Sequence, residues 1–597
     1  MNRRLRRSRL DEALKLALVQ TLRAFHRSSH VASKQTGWSY WHNPGKEALK
    51  AITVGNLVDE SADKFGDVEA VVSHVQNKRL TYHEAKTKID QLAAGFMSLG
   101  LKPGDRVGLL EPNSEEWYIS FLAGAKAGLL IMTINPSNSP SEIAHCLRLT
   151  NARALISTDT FKNQNTYEDV VSIMPEIGKT SSGSPVRAKD FPHFEFLITT
   201  SDRTIPGAFR LQDVFSLASK ESINLVNKLQ TQIQPDDGFN LQFTSGTTGN
   251  PKAALLSHFN LINNSYNIAR RFQYDKKRYK LCCSAPLFHV YGTVAAILGG
   301  LHFGSTIVLP SLSYSSKRSA EAIAKEQCNV LYGTPTMHID LMSVVEENSD
   351  LKSKMNLEKI VTAGSLLLPQ VYDKLKQTFP SAEIDSLYGM TETSPSSFQT
   401  LPTASNDQRK HTVGYVHEHV EVKVVDRSGK LVPFGSPGEL WVRGYLNMLG
   451  YYNQDSKTTE LIRKDGWLKT GDEVILSEDG HAQIVGRIKD IIIRGGENIP
   501  PKEVEDYLTT HPDIFEVAVF GVTDERMGEE VSAEIILKPG KTLTADDVKS
   551  FCKGKISPFK IPKYIQFAEE FPKTGSGKIK KHVLRQRLEE TLKENKN

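Results

Sequence analysis

At 597 residues the chain is too long for one hydrophobic core, and ordinary domain sizes predict roughly three or four packed units. Its apolar fraction of 39% and charged fraction of 24% are those of an ordinary soluble protein. The formal charge of +5 is local: residues 1 to 30 hold eight Arg/Lys against Asp11 and Glu12, so the remainder nets −1 and offers no basic field for nucleic acid.

The first element is basic and amphipathic. Leu10, Leu14, Leu18, Leu22 and Phe25 fall near one helical face, with arginines flanking it and Ser28-Ser29 following. The segment resembles a mitochondrial presequence, although Asp11 and Glu12 depart from the acid-poor composition of such peptides. A membrane-surface helix and a plain solvated helix are the alternatives. The expected location is therefore the mitochondrial matrix, with a cytoplasmic or membrane-peripheral site as the alternative. Five cysteines (Cys146, Cys282, Cys283, Cys328 and Cys552) form no C-x-x-C pair and read as reduced, mostly buried thiols.

From about residue 53 the rhythm becomes strand, helix, strand. Arg106–Leu110 reads as a buried strand, and Asn113-Ser114-Glu115-Glu116 supplies a cap and early acids for a helix over about Trp117–Ala127. Leu129–Ile134 is the next strand, and similar units recur near Ala152–Ser157 and over Ala320–Leu331. This alternation predicts parallel sheets flanked by helices.

Next, the apolar alternation of Phe239–Phe243 runs into Thr244-Ser245-Gly246-Thr247-Thr248-Gly249-Asn250-Pro251-Lys252. Such a loop can present backbone N–H groups to an anion. Its glycines permit close approach, and Lys252 can neutralise charge. It is not a Walker A loop, because Asn250-Pro251 displaces the lysine; a polar surface turn is the ordinary alternative. Residues 281 to 316 then contain no Asp, Glu, Lys or Arg. Prolines, glycines and histidines break that stretch into a loop, a helix over about Thr293–Leu301 and a strand over Ser305–Leu309, so no transmembrane span is expected.

Three further stretches follow. In Tyr388-Gly389-Met390-Thr391-Glu392-Thr393, a carboxylate beside a hydroxyl can hold Mg²⁺ shared with substrate phosphates, or merely cap a helix. In Thr470-Gly471-Asp472 and Gly486-Arg487-Ile488-Lys489-Asp490, a carboxylate after a glycine turn can accept two hydroxyls, and an arginine adds donors. Each is weak alone. Near the end lies Pro572-Lys573-Thr574-Gly575-Ser576-Gly577-Lys578.

Together, and in this order, the five motifs resemble the adenylate-forming superfamily of acyl-CoA synthetases, luciferases and peptide-synthetase adenylation domains, over roughly residues 53 to 585. Leu331-Tyr332-Gly333-Thr334-Pro335-Thr336-Met337 and Ile492-Ile493-Arg494-Gly495-Gly496-Glu497-Asn498-Ile499 look most like the mitochondrial medium-chain acyl-CoA ligases. The resemblance implies an α/β fold. A basic segment (1–45) precedes a large N-terminal domain of two stacked αβ layers plus a small β-barrel (46–489), and a small mobile α+β C-terminal domain (490–597) follows. It also implies ATP, Mg²⁺ and CoA as cofactor and co-substrates, and a fatty acid activated through acyl-AMP.

By the same resemblance, Thr244–Lys252 hold the β- and γ-phosphates, Thr391 contacts the α-phosphate and Glu392 anchors Mg²⁺. Gly364, Ser365 and Tyr388 border the adenine; Asp472 and Arg487 hold the ribose. Lys578 is the catalytic lysine, Asp490 the hinge, and Arg494, Gly495 and Gly496 line the CoA path. His289 and Gly389 border the acyl pocket. No Asp stands in Pro286-Leu287-Phe288-His289 to pair an ammonium, and Gly389 replaces the Trp of acetate-specific relatives. The expectation is a longer carboxylate, each buried CH₂ gaining about 0.8 kcal/mol. Ala253 departs from the family's Pro-Lys-Gly; the change is benign if Ala253 begins a strand and strained if it needs positive φ. A non-catalytic binder would be expected to lose Lys578, Asp472 or Glu392, and all three are present. An adenylating enzyme with another acceptor, such as a carrier-protein thiol or oxygen, is the further alternative; a built-in acceptor would bring a carrier domain, which is not expected from these motifs.

Overall fold

A computed structural model describes residues 37–594, apart from 245–250, 495–496, 525–526, 554, 557 and 575–576. Four groups of expected features therefore lie outside the described residues. These are most of the basic segment; Ser245, Gly246, Thr247, Thr248, Gly249 and Asn250; Gly495 and Gly496; and Gly575.

The buried apolar runs form the expected parallel strands. Leu130–Thr133, Arg106–Leu110, Ala154–Ser157 and Phe196–Thr199 pair in parallel within an eight-stranded sheet, whose far edge is the antiparallel set Gly238–Thr244, Lys252–Ser257 and Gly450–Tyr451. A nine-stranded sheet contains the parallel neighbours Lys280–Cys283, Val330–Gly333, Lys359–Thr362 and Glu383–Tyr388. Such strands are buried on both faces, which is why they read as continuous apolar runs rather than as alternation. One core draws on both sheets, with Val107 and Ile131 from the first, Val71 and Leu281 from the second, and Leu92, Phe121 and Leu261 from helices between them. The two αβ layers are thus stacked.

The third unit is a five-stranded antiparallel sheet in the order Tyr40–Asn43, Val420–Val425, Pro437–Gly444, Leu468–Leu476 and Ala482–Arg487. Its first strand corrects the boundary placed at residue 45. Tyr40–Asn43 pairs with Val420–Lys423, and the Ser39 amide donates to the Val432 carbonyl, so the body of the protein begins before Ser39. A separate sheet of Glu497–Ile499, Ile492–Arg494, Gly528–Leu537, Ile514–Asp524 and Tyr564–Phe567 makes the C-terminal unit. Asp490 ends the short turn Ile488–Asp490 that joins the two sheets.

Local expectations hold with small shifts. Ser114 caps the helix Glu115–Lys126 by accepting from the Trp117 amide at 3.0 Å, with Glu115 and Glu116 in its first turn. The helix expected over Thr293–Leu301 is instead a π-helix, Tyr291–Leu298, continued by α-helix Gly299–His302. At its start, the Thr293 hydroxyl donates to the Leu287 carbonyl, and a Cβ on Gly292 would sit 2.4 Å from the Pro286 carbonyl. This tight packing against the preceding loop accompanies the wider turn. All five cysteines are buried and unbridged. Among the described residues no helix is long and apolar enough to cross a membrane.

Candidate active site

Antiparallel pairing builds the first part of the site. Register places Asp472 opposite Arg487 on neighbouring strands, and Arg487 Nε lies 3.0 Å from Asp472 Oδ1. The Tyr388 hydroxyl, from the end of a strand in the nine-stranded sheet, donates to Asp472 Oδ2 at 2.7 Å. The Thr470 hydroxyl donates to the Leu440 carbonyl at 2.8 Å and accepts from the Asp472 amide at 3.1 Å, while Gly471 takes φ +70° to make the turn. Asp472 therefore has both oxygens engaged from two sheets, yet a carboxylate offers about four acceptor positions, which leaves room for ligand hydroxyls. Burial and the Asp472 carboxylate push the Tyr388 hydroxyl well above its ordinary value. Burial opposes the Arg487 charge, but Asp472, Tyr388, Asp490 and Glu392 hold it above the usual range.

The second part is the hairpin around Lys252. Thr244 and Lys252, the two ends of the Thr/Ser/Gly motif, face each other across antiparallel strands. Ala253 lies in the second strand, buried and paired with Phe243, which makes its replacement of glycine benign. Lys252 Nζ sits 4.9 Å from the centre of the Tyr451 ring. The Tyr451 hydroxyl in turn donates to Glu392 Oε1 at 2.6 Å, and the Met448 amide donates to the Glu392 carbonyl at 2.9 Å. Tyr451 reaches this place because its backbone pairs with Ala254. No motif contains it, and only the fold brings it to Glu392.

Glu392 is buried, at 6% exposure. Among the described residues no group of three His, Cys, Asp or Glu side chains could hold a metal on its own. A single carboxylate with one oxygen tied to Tyr451 fits Mg²⁺ shared with phosphates, because that ion is commonly held by one or two carboxylates plus substrate oxygens.

Gly364 and Ser365 are exposed just beyond Lys359–Thr362, the strand next to the one ending in Tyr388. They lie at the carboxyl ends of parallel strands, where α/β sheets bind ligands. Gly364 has φ +85°, which favours glycine. Gly389 needs a correction. A Cβ there would lie 1.9 Å from the Pro395 carbonyl oxygen and 3.0 Å from Ser396 Cα. In this backbone, glycine is required by the returning chain rather than by an open channel.

His289 is half-buried in the loop preceding the π-helix, accepts from the Tyr291 amide at Nδ1 (3.2 Å), and is pushed down to about 4 by desolvation, hence neutral at pH 7. Asn113 holds that loop: its Nδ2 donates to the Ala285 carbonyl at 3.0 Å and its Oδ1 accepts from the Leu287 amide at 2.8 Å. The sequence marks Asn113 only as part of a helix cap. In the C-terminal unit, Arg494 forks onto the buried Glu530, Nε to Oε2 at 2.6 Å. Lys578 is exposed in a tight turn, its amide donating to the Thr574 hydroxyl at 3.1 Å and its carbonyl accepting from the Thr574 amide at 2.7 Å. Gly577 takes φ +83° in that turn.

Residues 58–452 match the family described as AMP-binding enzyme, and residues 503–578 match the AMP-binding enzyme C-terminal domain. The chain belongs to the AMP-binding enzyme family. Among its relatives, the mitochondrial medium-chain acyl-CoA ligase ACSF2 of Danio rerio is 40% identical over 93% of this chain and 91% of that one. The protein of the same name in Homo sapiens is 37% identical over 98% and 95%. ATP-bound MatB from Rhodopseudomonas palustris superposes with a TM-score of 0.77 at 25% identity, covering 90% of this chain and 99% of that one. The anthranilate CoA ligase AuaEII with anthranoyl-AMP gives 0.76 at 24%, covering 91% and 98%, a likeness of fold alone.

Proposed function

We propose that this AMP-binding enzyme is an ATP-dependent acyl-CoA ligase that activates a fatty acid, with medium chains preferred. In the first step a carboxylate oxygen attacks the α-phosphorus and pyrophosphate leaves, giving acyl-AMP. In the second the CoA sulfur attacks the acyl carbon, the anhydride C–O bond breaks, and AMP leaves. The observation that carries the reading is the convergence of Tyr388, Asp472 and Arg487 beside the Lys252–Tyr451–Glu392 chain, drawn from separate sheets.

The chemical difficulty of the first step is bringing one anion to another. Positive and N–H-rich groups fixed in place offset that repulsion without reorganising. In this reading the Thr244–Lys252 hairpin holds the β- and γ-phosphates, Thr391 the α-phosphate, and Gly364, Ser365 and Tyr388 the adenine. Asp472 and Arg487 grip the ribose hydroxyls. Mg²⁺, bound through Glu392 and the phosphates, would supply charge neutralisation there. Lys578 bridges the carboxylate and α-phosphate, and the C-terminal unit (490–597) then turns about Asp490 so that Arg494, Gly495 and Gly496 line the CoA path. One pocket can thereby serve two nucleophiles.

The named relatives support a mitochondrial location. A presequence, if removed, must end before Ser39, since Ser39 to Asn43 belong to the folded body. The test of the chemistry is exchange of labelled pyrophosphate into ATP, without CoA. Exchange that requires a fatty acid supports the acyl-AMP route. Its absence, from folded protein and across acids, contradicts that route.

A further inference from the structure

Helix His258–Arg271 carries polar side chains where a core stripe is expected. Asn260, Asn264, Asn267 and Arg271 recur at spacings of three and four, so they share one helix face. All four are buried. Asn260 donates to the carbonyls of Tyr445 and Asn447, Asn267 to the Tyr445 hydroxyl at 3.1 Å, and Arg271 to the carbonyls of Tyr415 and Val416.

Asn264, 0% exposed, makes the most specific contact. Its Nδ2 donates to the Ser396 carbonyl at 2.8 Å while its Oδ1 accepts from the Ser396 amide at 3.1 Å. This amide clasp satisfies both backbone groups of one residue far away in sequence, and only a side chain with a donor and an acceptor on one plane can do so.

Ser396 lies in the arm that returns from the Tyr388–Glu392 loop. The Ser397 amide donates to the Tyr388 carbonyl at 2.9 Å, and the Thr393 hydroxyl lies 3.3 Å from the Pro395 carbonyl. Gly389 packs against that same Pro395 carbonyl with no space for a side chain. A shift of Ser396 must therefore move Tyr388, Thr391 and Glu392. The other end of the helix starts at Ser257, the last residue of the strand that begins with Lys252, and Ser257 accepts from the Asn260 amide at 3.1 Å. One rigid element thus spans the two halves of the phosphate site.

We propose that Asn264 is a positioning residue for acyl-AMP formation, acting through the Ser396 backbone to hold Tyr388, Thr391 and Glu392 at a fixed distance from the Lys252 hairpin. The inference rests on the reading that Glu392 and the Lys252 hairpin serve the β- and γ-phosphates of the triphosphate, which acyl-AMP lacks. The triphosphate is present only in the first half-reaction, so the two halves separate positioning from general stability. Misplacement by about 1 Å can cost about 10²-fold in rate.

The experiment compares Asn264→Ala and Asn264→Asp with the unaltered full-length chain, in two assays. One is fatty-acid-dependent pyrophosphate exchange; the other is thioester formation from supplied acyl-AMP and CoA. Asn264→Asp keeps the acceptor for the Ser396 amide and the shape of the side chain, so it decides the matter if Asn264→Ala does not fold. The expected result is a fall in the kcat of exchange of about 30- to 100-fold for Ala and about tenfold for Asp, with the thioester step within about threefold of normal. Equal falls in both steps, matching the loss of folded protein, would overturn the proposal, as would unchanged exchange. Glu392→Gln is run alongside. If Glu392→Gln leaves exchange intact, the reading of the loop fails and the inference with it. If Glu392→Gln abolishes exchange while the Asn264 variants lose both steps equally, only the clasp fails.

Discussion

Tyr451→Phe removes one hydroxyl and keeps the ring under Lys252. In the structure that hydroxyl donates to Glu392 Oε1 at 2.6 Å, and Glu392 is 6% exposed. Hydrogen bonds to a charged partner contribute about 1.5–3 kcal/mol, and loss of the donor leaves a buried carboxylate oxygen without it. If that free energy serves to hold Glu392 where the phosphates need it, the kcat of pyrophosphate exchange falls about 10- to 150-fold. The ring, still 4.9 Å from Lys252 Nζ, keeps its cation–π contact, so KM for ATP changes little. Steady-state exchange at saturating fatty acid, with thermal unfolding of the same samples, measures both. A kcat within about threefold of normal in folded protein would show that Glu392 is positioned by something else, and the role given to Tyr451 would be wrong.

Other substitutions probe other links. Lys578→Ala should abolish acyl-AMP formation, by about 10²–10³ or more, yet leave thioester formation from supplied acyl-AMP largely intact; equal loss of both steps would contradict a rotating C-terminal unit. Glu111 is pushed up to about 8, first by burial and then by Glu116, so the native state keeps a proton that the unfolded chain releases. Its contribution to stability is full below about pH 4.5 and is lost as pH rises through 8. Glu111→Gln should therefore match the natural protein near pH 5 and exceed it at pH 8 by as much as about 3 kcal/mol, and a gain independent of pH would refute this. Ala253→Gly should leave activity unchanged and destabilise the strand by about 0.5–1 kcal/mol, whereas a several-fold gain in activity would reveal strain at Ala253.

What was legible in the sequence is what local chemistry dictates. Arg106–Leu110 reads as a strand because a run buried on both faces needs no alternation, and Ser114 reads as a cap because its hydroxyl serves the next turn. The motifs around Lys252, Glu392, Asp472 and Arg487 were legible by type and order, and the structure brings them together. Tyr451, Asn113 and Asn264 were not. Each acts on a residue distant in sequence, through a strand register or a side-chain amide on another segment's backbone, and nothing near it in the chain announces the partner. Gly389 was legible as glycine but not for its reason, which is the returning Pro395 carbonyl. The strand Tyr40–Asn43 was hidden because its partner, Val420–Val425, lies far along the chain.

The central claim is ligation of a fatty acid to CoA, and a mass-spectrometric thioester assay tests it most directly, with ATP, Mg²⁺, CoA and straight-chain acids from C2 to C16. The account predicts an acyl-CoA product with a maximum around C6–C12. Pyrophosphate exchange without any thioester would move the acceptor away from CoA, and no reaction in either assay from folded protein would contradict the account as a whole.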